Sequence, residues 1–184
     1  SFPVKLEDNS AHKLGEYPGN KEELAVGKGK DQKNPINITY NEGILVGYRW
    51  HDTKKIKPLF SFGHGLSYTS FEFGNAKSDK TVIAQDDKIT FTVTIKNTGK
   101  KAGAEVVQLY ISDLKSSVQR PTKELKGFEK VFLNSGEEKE VSLTIDKTAL
   151  SFFDADKHEW LAEPGDFEAL IGNSSDSIKT KIRF

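Results

Sequence analysis

Two carboxylates are the residues of this chain best suited to acid–base chemistry. Glu42 lies in an aromatic-rich stretch, and Asp52 follows ten residues later. A carboxylate pair can hydrolyse a bond when one member acts as acid and base and the other as nucleophile or base. A function must nevertheless be argued from a complete site. The simpler interpretation, which we favour, makes Glu42 a residue at the end of a strand that pairs or caps locally.

The other reactive side chains are scattered. None of the four histidines is two or four residues from another, so their spacing does not predict a metal site. They are His12, His51, His64 and His158. Ser67 and Ser70 have no neighbouring histidine and aspartate arrangement that would activate a nucleophile. With no cysteine in the chain, disulfides and thiolate ligands are excluded as well. We expect no metal and no cofactor, and we interpret His64 as a hydrogen-bonded packing residue.

The two tryptophans could bind sugars, because the faces of aromatic rings stack on the apolar faces of sugar rings. Trp50 is in phase with three apolar residues at alternate positions, Ile44, Val46 and Tyr48. Trp160 lies shortly before a Pro-Gly turn. These neighbours favour packing in a core or between domains for both rings. Exposure of either ring would reopen the question of sugar binding.

Composition excludes several classes of partner. The chain has 27 basic and 27 acidic residues of interspersed sign, so it lacks the basic patch that nucleic acids or anionic membranes require. No apolar run is long enough to cross a membrane. The first residues do not form a signal peptide. Because methionine is absent even at position 1, we expect a mature or excised fragment.

An aromatic segment, residues 58–73, divides the chain. It begins with a proline and carries two glycines, Gly63 and Gly65, around His64. Its aromatic residues are Phe60, Phe62, Tyr68, Phe71 and Phe73. At the two-residue period of a strand, the last two share one face. We predict that these five side chains pack between domains, at the boundary between residues 1–66 and 67–184.

The two sides of this segment differ in pattern. Before it, residues 8–37 are polar and predict a loop, with a helical turn at 21–25, while residues 1–6 and 38–50 alternate as strands do. After it, about seven short runs alternate apolar and polar residues between turns. The runs begin near Ile89, Val107, Leu125, Val141, Leu150, Phe167 and Ile178. That spacing is typical of a β-sandwich, so we predict a mainly β chain preceded by a loop-rich segment.

Four ordered blocks carry a resemblance to a known family. They are YNEGILVGYRWHD at residues 40–52, PLFSFGHGLSYTSFEF at 58–73, RPTKELKGFEKVFL at 120–133 and EPGDFEALIG at 163–172. Together they resemble the C-terminal end of glycoside hydrolase family 3 enzymes, which include β-glucosidases. The resemblance implies the tail of an α/β sandwich domain in residues 1–66 and a fibronectin type III-like (immunoglobulin-like) domain in residues 67–184.

The resemblance also implies a function. The family's nucleophile and acid/base lie on upstream domains, so no catalytic residue is expected in this chain and no substrate-binding residue is assigned. The expected role is structural, with the upstream catalytic domains as partners and a glycoside substrate reached only through the parent enzyme, which is periplasmic or secreted in bacteria. The alternatives are a free-standing carbohydrate-binding or adhesion module and a purely structural spacer.

Overall fold

A computed structural model describes residues 1–17, 19, 38–84 and 86–184. The chain divides into two compact units, Ser1–Phe62 and Gly63–Phe184. The helical turn predicted at residues 21–25, and most of the predicted polar loop, lie outside the described residues.

Short helices make up the described part of the first unit. A single turn of 3-10 helix, Leu6–Asp8, is followed by α1 (Ser10–Lys13), whose first turn is capped by Asn9. The next helix, α2, spans Tyr48–Lys54. It buries Trp50, whose indole N–H donates to the carbonyl of Asp8 at 3.0 Å. This hydrogen bond joins two segments that are far apart in sequence.

The strand predicted over residues 38–50 is wrong. Residues 41–44 form turns, and α2 begins at Tyr48. Gly43 and Gly47 have φ angles of 57° and 60°, a region outside regular extended backbone that glycine enters at little cost. The apolar alternation was therefore accidental. At residues 1–6 the pairing is a single bridge between Phe2 and Phe60.

The second unit is built almost entirely from antiparallel strands. They are β1 (Phe71–Phe73), β2 (Lys77–Ser78), β3 (Lys88–Asn97), β4 (Gly103–Asp113), β5 (Glu124–Leu133), β6 (Glu138–Asp146), β7 (Phe152–Asp154), β8 (Glu159–Leu161), β9 (Phe167–Gly172) and β10 (Ile178–Arg183). A short helix, α3 (Lys147–Leu150), joins β6 to β7. One four-stranded sheet places β3 between β6 and the pair β1 and β2, and the other has the order β10-β9-β4-β5. Strands β7 and β8 form a separate two-stranded hairpin.

The core lies between the two four-stranded sheets. Along β3 the buried residues are Ile89, Phe91, Val93 and Ile95, in strict alternation with residues that reach solvent. They pack on Val107, Leu109 and Ile111 of β4 and on the inward residues of β5, β6 and β9. The prediction of a mainly β chain with a β-sandwich is confirmed.

Asn97, the last residue of β3, ties several segments to this core. Its side-chain carbonyl accepts hydrogen bonds from Thr69 Oγ1 at 2.6 Å and from the Gly99 N–H at 3.1 Å. Its amide donates to the Lys101 carbonyl at 2.8 Å and to the Leu133 carbonyl at 3.0 Å. Every hydrogen-bonding group of this fully buried amide is used, so it fixes the approach to β1, the β3–β4 turn and the end of β5.

Candidate functional site

The five aromatic residues predicted to pack between domains fall into two groups. Phe60, Phe62 and Tyr68 are exposed, and Tyr68 has 93% of its surface open to solvent. Phe71 and Phe73 lie on β1, on the face that they were predicted to share, and are half-buried against the sandwich core. Phe60 and Phe62 also contact the rings of Phe2 and Tyr48, at centroid distances of 6.3 Å and 5.0 Å, and the Lys101 ammonium lies 5.6 Å from the Tyr68 ring centroid. The first group therefore combines local contacts with solvent-exposed surface, whereas the second packs against the sandwich core.

The first unit exposes far more apolar side chains than it buries. Among its described residues, Leu45 and Trp50 are the buried apolar ones. The exposed ones are Phe2, Val4, Leu6, Leu14, Tyr17, Ile38, Tyr40, Ile44, Val46, Leu59, Phe60 and Phe62. Large exposed apolar surfaces rimmed by polar residues mark interaction sites in soluble proteins. This surface is the strongest functional feature of the unit.

The two candidate carboxylates do not assemble a reaction site from described residues. Glu42 lies in a turn rather than at the end of a strand, so that detail of the prediction is wrong. One of its side-chain oxygens is enclosed without a hydrogen-bond partner. Asp52 lies on α2.

The histidines also behave as structural residues or lie on the surface. No group of three or more histidine, aspartate or glutamate side chains within the described ranges could hold a metal ion. His51 is buried on α2, and its Nδ1 lies 3.0 Å from the carbonyl of Ile56. His64 is exposed, which contradicts the packing role predicted for it.

The two tryptophans have different environments. Trp50 is buried, as predicted for a packing residue, whereas 69% of Trp160 is exposed. Trp160 lies on β8 directly opposite Phe153 on β7, and the two ring centroids are 5.7 Å apart at an interplanar angle of 68°. Trp160 therefore does not pack in a core, and that part of its prediction is wrong. The β7–β8 hairpin lies outside both large sheets, and sequence alternation gave no sign of this.

A buried arginine, which sequence reasoning did not single out, explains the 120–133 block. Arg120 Nη1 lies 3.1 Å from Asp113 Oδ2 and donates to the Leu150 carbonyl at 2.8 Å, and Nη2 lies 3.1 Å from Glu124 Oε2. Its guanidinium also lies 6.0 Å from the ring centroid of Phe152. Only 8% of its side chain is exposed. The arginine therefore links the loop between β4 and β5 to α3 and β7. The sequence signal that could have predicted this ion pair is the four-residue spacing of Arg120 and Glu124, with Pro121 between them.

Three carboxylates stabilise local structure: Asp146 caps the start of α3, Asp154 caps the β7–β8 turn, and Glu163 accepts a hydrogen bond from Ser117 in the loop between β4 and β5. Hydrogen bonds from Thr148 lower the pKa of Asp146, and hydrogen bonds from Lys157 lower that of Asp154. Hydrogen bonding to Ser117 likewise lowers the pKa of Glu163. The ionised form of each carboxylate accepts these bonds, so the low pKa values reflect turn structure rather than catalysis.

Comparison with known proteins shows which domain class and which proteins this chain is similar to. The model of the fibronectin type III-like domain matches residues 105–175, so the second unit contains a domain of that class. Over its whole length the chain is 49% identical to β-glucosidase BoGH3A of Bacteroides ovatus, and over 98% of its length it is 48% identical to thermostable β-glucosidase B of Acetivibrio thermocellus. The structure of β-glucosidase 3B from Thermotoga neapolitana in complex with glucose covers the whole chain with a TM-score of 0.82 and 35% identity.

The chain is a C-terminal portion of a glycoside hydrolase family 3 protein, and the relatives it matches are β-glucosidases. It spans 23% of the Bacteroides ovatus protein, 22% of the Acetivibrio thermocellus protein and 23% of the Thermotoga neapolitana chain. The resemblance predicted from the four sequence blocks is confirmed. None of the helices in the described ranges is both long and apolar enough to cross a bilayer.

Proposed function

We propose that this chain is a structural region that stabilises a β-glucosidase by docking on the enzyme's upstream catalytic domains. The observation that carries the proposal is the imbalance within Ser1–Phe62, where the described residues bury two large apolar side chains and expose twelve. A unit of that composition gains its hydrophobic stabilisation from a neighbour. The proposal retains the division at residues 66 and 67 between an α/β-domain remnant and the fibronectin type III-like domain.

The reaction of the parent enzyme is part of the same proposal. We infer hydrolysis of terminal, non-reducing β-glycosides with retention of configuration, in which one carboxylate forms a covalent glycosyl intermediate and the other serves as acid and then base. Both carboxylates lie outside this chain in the proposal, and no metal or cofactor is involved. The family membership and the names of the relatives support this inference.

The exposed aromatics of the 58–73 segment are the proposed docking residues. Phe60, Phe62 and Tyr68 supply the contacts, while Phe71 and Phe73 hold the segment against the sandwich. Burying one such side chain contributes about 1.5–3 kcal/mol. Replacing it by serine should therefore weaken the attachment of this region without touching the chemistry.

The test is made in the complete parent enzyme. Phe60→Ser and Tyr68→Ser should each lower the temperature of inactivation, whereas kcat on an aryl β-glucoside at low temperature stays the same. Val82→Ser is the matched control, because Val82 is an equally apolar, exposed residue outside the docking segment. The purified chain alone should not hydrolyse the same substrate. Inactivation temperatures equal to that of the control, or turnover by the isolated chain, would contradict the proposal.

A further inference from the structure

The β7–β8 hairpin presents an aromatic pair that is not part of the proposed docking surface. Its inner face is anchored: Phe152 and Leu161 are half-buried, and the Arg120 guanidinium lies 6.0 Å from the Phe152 ring centroid. Its outer face carries Phe153 and Trp160, both exposed and in edge-to-face contact. The edge of one ring supports the other, so the pair presents a defined aromatic surface rather than two mobile side chains.

The turn of the hairpin is also held in one conformation. Asp154 Oδ1 accepts hydrogen bonds from the N–H groups of Asp156 at 3.0 Å and Lys157 at 3.2 Å. The Lys157 ammonium lies 3.2 Å from the second oxygen of the same carboxylate. A platform fixed before a ligand arrives loses less conformational entropy on binding.

The surroundings of the pair favour a polyol over a protein. Residues 155–159, which border the rings, are all exposed, and four of these five are charged or hydrogen-bonding: Asp156, Lys157, His158 and Glu159. Stable protein interfaces bury about 800 Å² on each partner around an apolar centre. Two rings surrounded by polar groups are too small for that. They are suited to a sugar ring, whose axial C–H groups meet the negative faces of aromatic rings while its hydroxyls meet polar neighbours.

We propose that the Phe153–Trp160 pair forms a secondary binding site for a β-linked gluco-oligosaccharide. The aromatic rings stack on sugar faces, and the polar residues of the hairpin turn bind hydroxyls. The choice of β-linked glucose rests on the proposed function, whereas the presence of a sugar site rests on the hairpin alone. The site would hold a glucan chain near the enzyme without taking part in its hydrolysis.

The test is a titration of the ¹⁵N-labelled complete chain with cellotetraose, followed by nuclear magnetic resonance. The backbone N–H signals of β3, whose alternate side chains are buried in the sandwich core, are the internal reference. We expect the indole N–H signal of Trp160 to shift in a saturable way while the β3 signals do not. Trp160→Ala and Phe153→Ala should weaken binding at least about tenfold, measured on backbone signals of the hairpin.

Phe128→Ala is the matched control, because Phe128 is an equally exposed aromatic residue on β5, with 66% of its surface open. It should bind cellotetraose as the unmodified chain does, and circular dichroism should show that all variants keep the sandwich. The proposal is overturned if no signal saturates, or if Trp160→Ala binds normally. Equal binding of maltotetraose overturns the assignment to β-linked glucose. Conversion of a dimer to a monomer by Trp160→Ala would identify the pair as a protein contact. None of these outcomes depends on the docking measured by inactivation of the parent enzyme.

Discussion

Replacing Asn97 should be among the most destabilising single changes in the sandwich. The side chain is fully buried and makes four hydrogen bonds, to Thr69, Gly99, Lys101 and Leu133. A net loss of about 1 kcal/mol for each bond, and more for a buried partner left unpaired, gives about 3–5 kcal/mol for Asn97→Ala. Typical domains have a total stability of about 5–15 kcal/mol, so the variant should remain folded but marginal.

Asn97→Asp adds a dependence on pH. The new carboxylate keeps the acceptors but turns its second oxygen toward the carbonyls of Lys101 and Leu133, where the amide had donated. The ionised form is then buried and repelled, so the carboxyl pKa in the folded state rises above its unfolded value of about 3.9. A raised folded pKa means that stability is greatest below the unfolded pKa and falls as pH rises through the folded pKa. This variant should therefore be least stable at neutral pH and should recover partly on acidification.

The assay is amide hydrogen exchange of β3 and β6, which reports the opening of the sandwich itself. Asn134→Ala is the control, because Asn134 lies in an exposed turn where its side chain bonds only Glu137 among the described hydrogen bonds, at 2.9 Å. It should change the free energy of opening by less than about 1 kcal/mol. If Asn97→Ala were no more destabilising than Asn134→Ala, the reasoning from buried hydrogen bonds would be refuted. If the free energy of opening of Asn97→Asp changed with pH in parallel with that of the unmodified chain, the electrostatic part of the reasoning would be refuted.

Two further predictions concern charged groups. Arg120→Met leaves two carboxylates without their buried partner and should lower the free energy of unfolding, measured in urea, by about 3 kcal/mol. The control is Arg183→Met, which removes the exposed pair with Asp166 and should cost less than about 1 kcal/mol. Equal costs for the two variants would contradict the structural role of Arg120. The pKa values of Asp146 and Glu163 are lowered, so their stabilising effect is complete above the pKa of an unfolded carboxyl, about 4, and is lost as pH falls through the folded values. Asp146→Asn should accordingly flatten the loss of stability between about pH 5 and pH 2 in thermal melts, and an unchanged acid profile would show that the cap contributes nothing.

The sandwich was predictable from sequence because each strand has one face in the core. Ile89, Phe91 and Val93 alternate with threonines, and no competing period fits them. Residues 38–50 show the same alternation but fold into turns and a helix. There the decisive information was backbone conformation at Gly43 and Gly47, which side-chain hydrophobicity does not encode.

The candidate sites were less predictable for a different reason. Whether an aromatic residue is buried depends on which elements cover it, and this is settled by tertiary structure. Trp50 and Trp160 each have a charged residue directly before them in the sequence, yet Trp50 is buried on α2 with its indole bonded to Asp8, and Trp160 is exposed on a separate hairpin. The role of Arg120 was also hard to predict from sequence, because its partner Leu150 is distant in sequence and contributes only a backbone carbonyl.

The two units differ in how their stability arises, and this explains the placement of the exposed aromatics. The second unit has a continuous core between two sheets, so its folding free energy is largely its own. The described part of the first unit buries little, so in the docking proposal a neighbouring domain supplies its hydrophobic stabilisation, and the apparent stability of the unit rises with the affinity of that neighbour. The proposal accounts for the exposed apolar residues of the first unit in this way. Trp160 and Phe153 belong to the second unit, where their edge-to-face contact on a hairpin outside both large sheets distinguishes them from other exposed aromatic residues such as Tyr68 and Phe128.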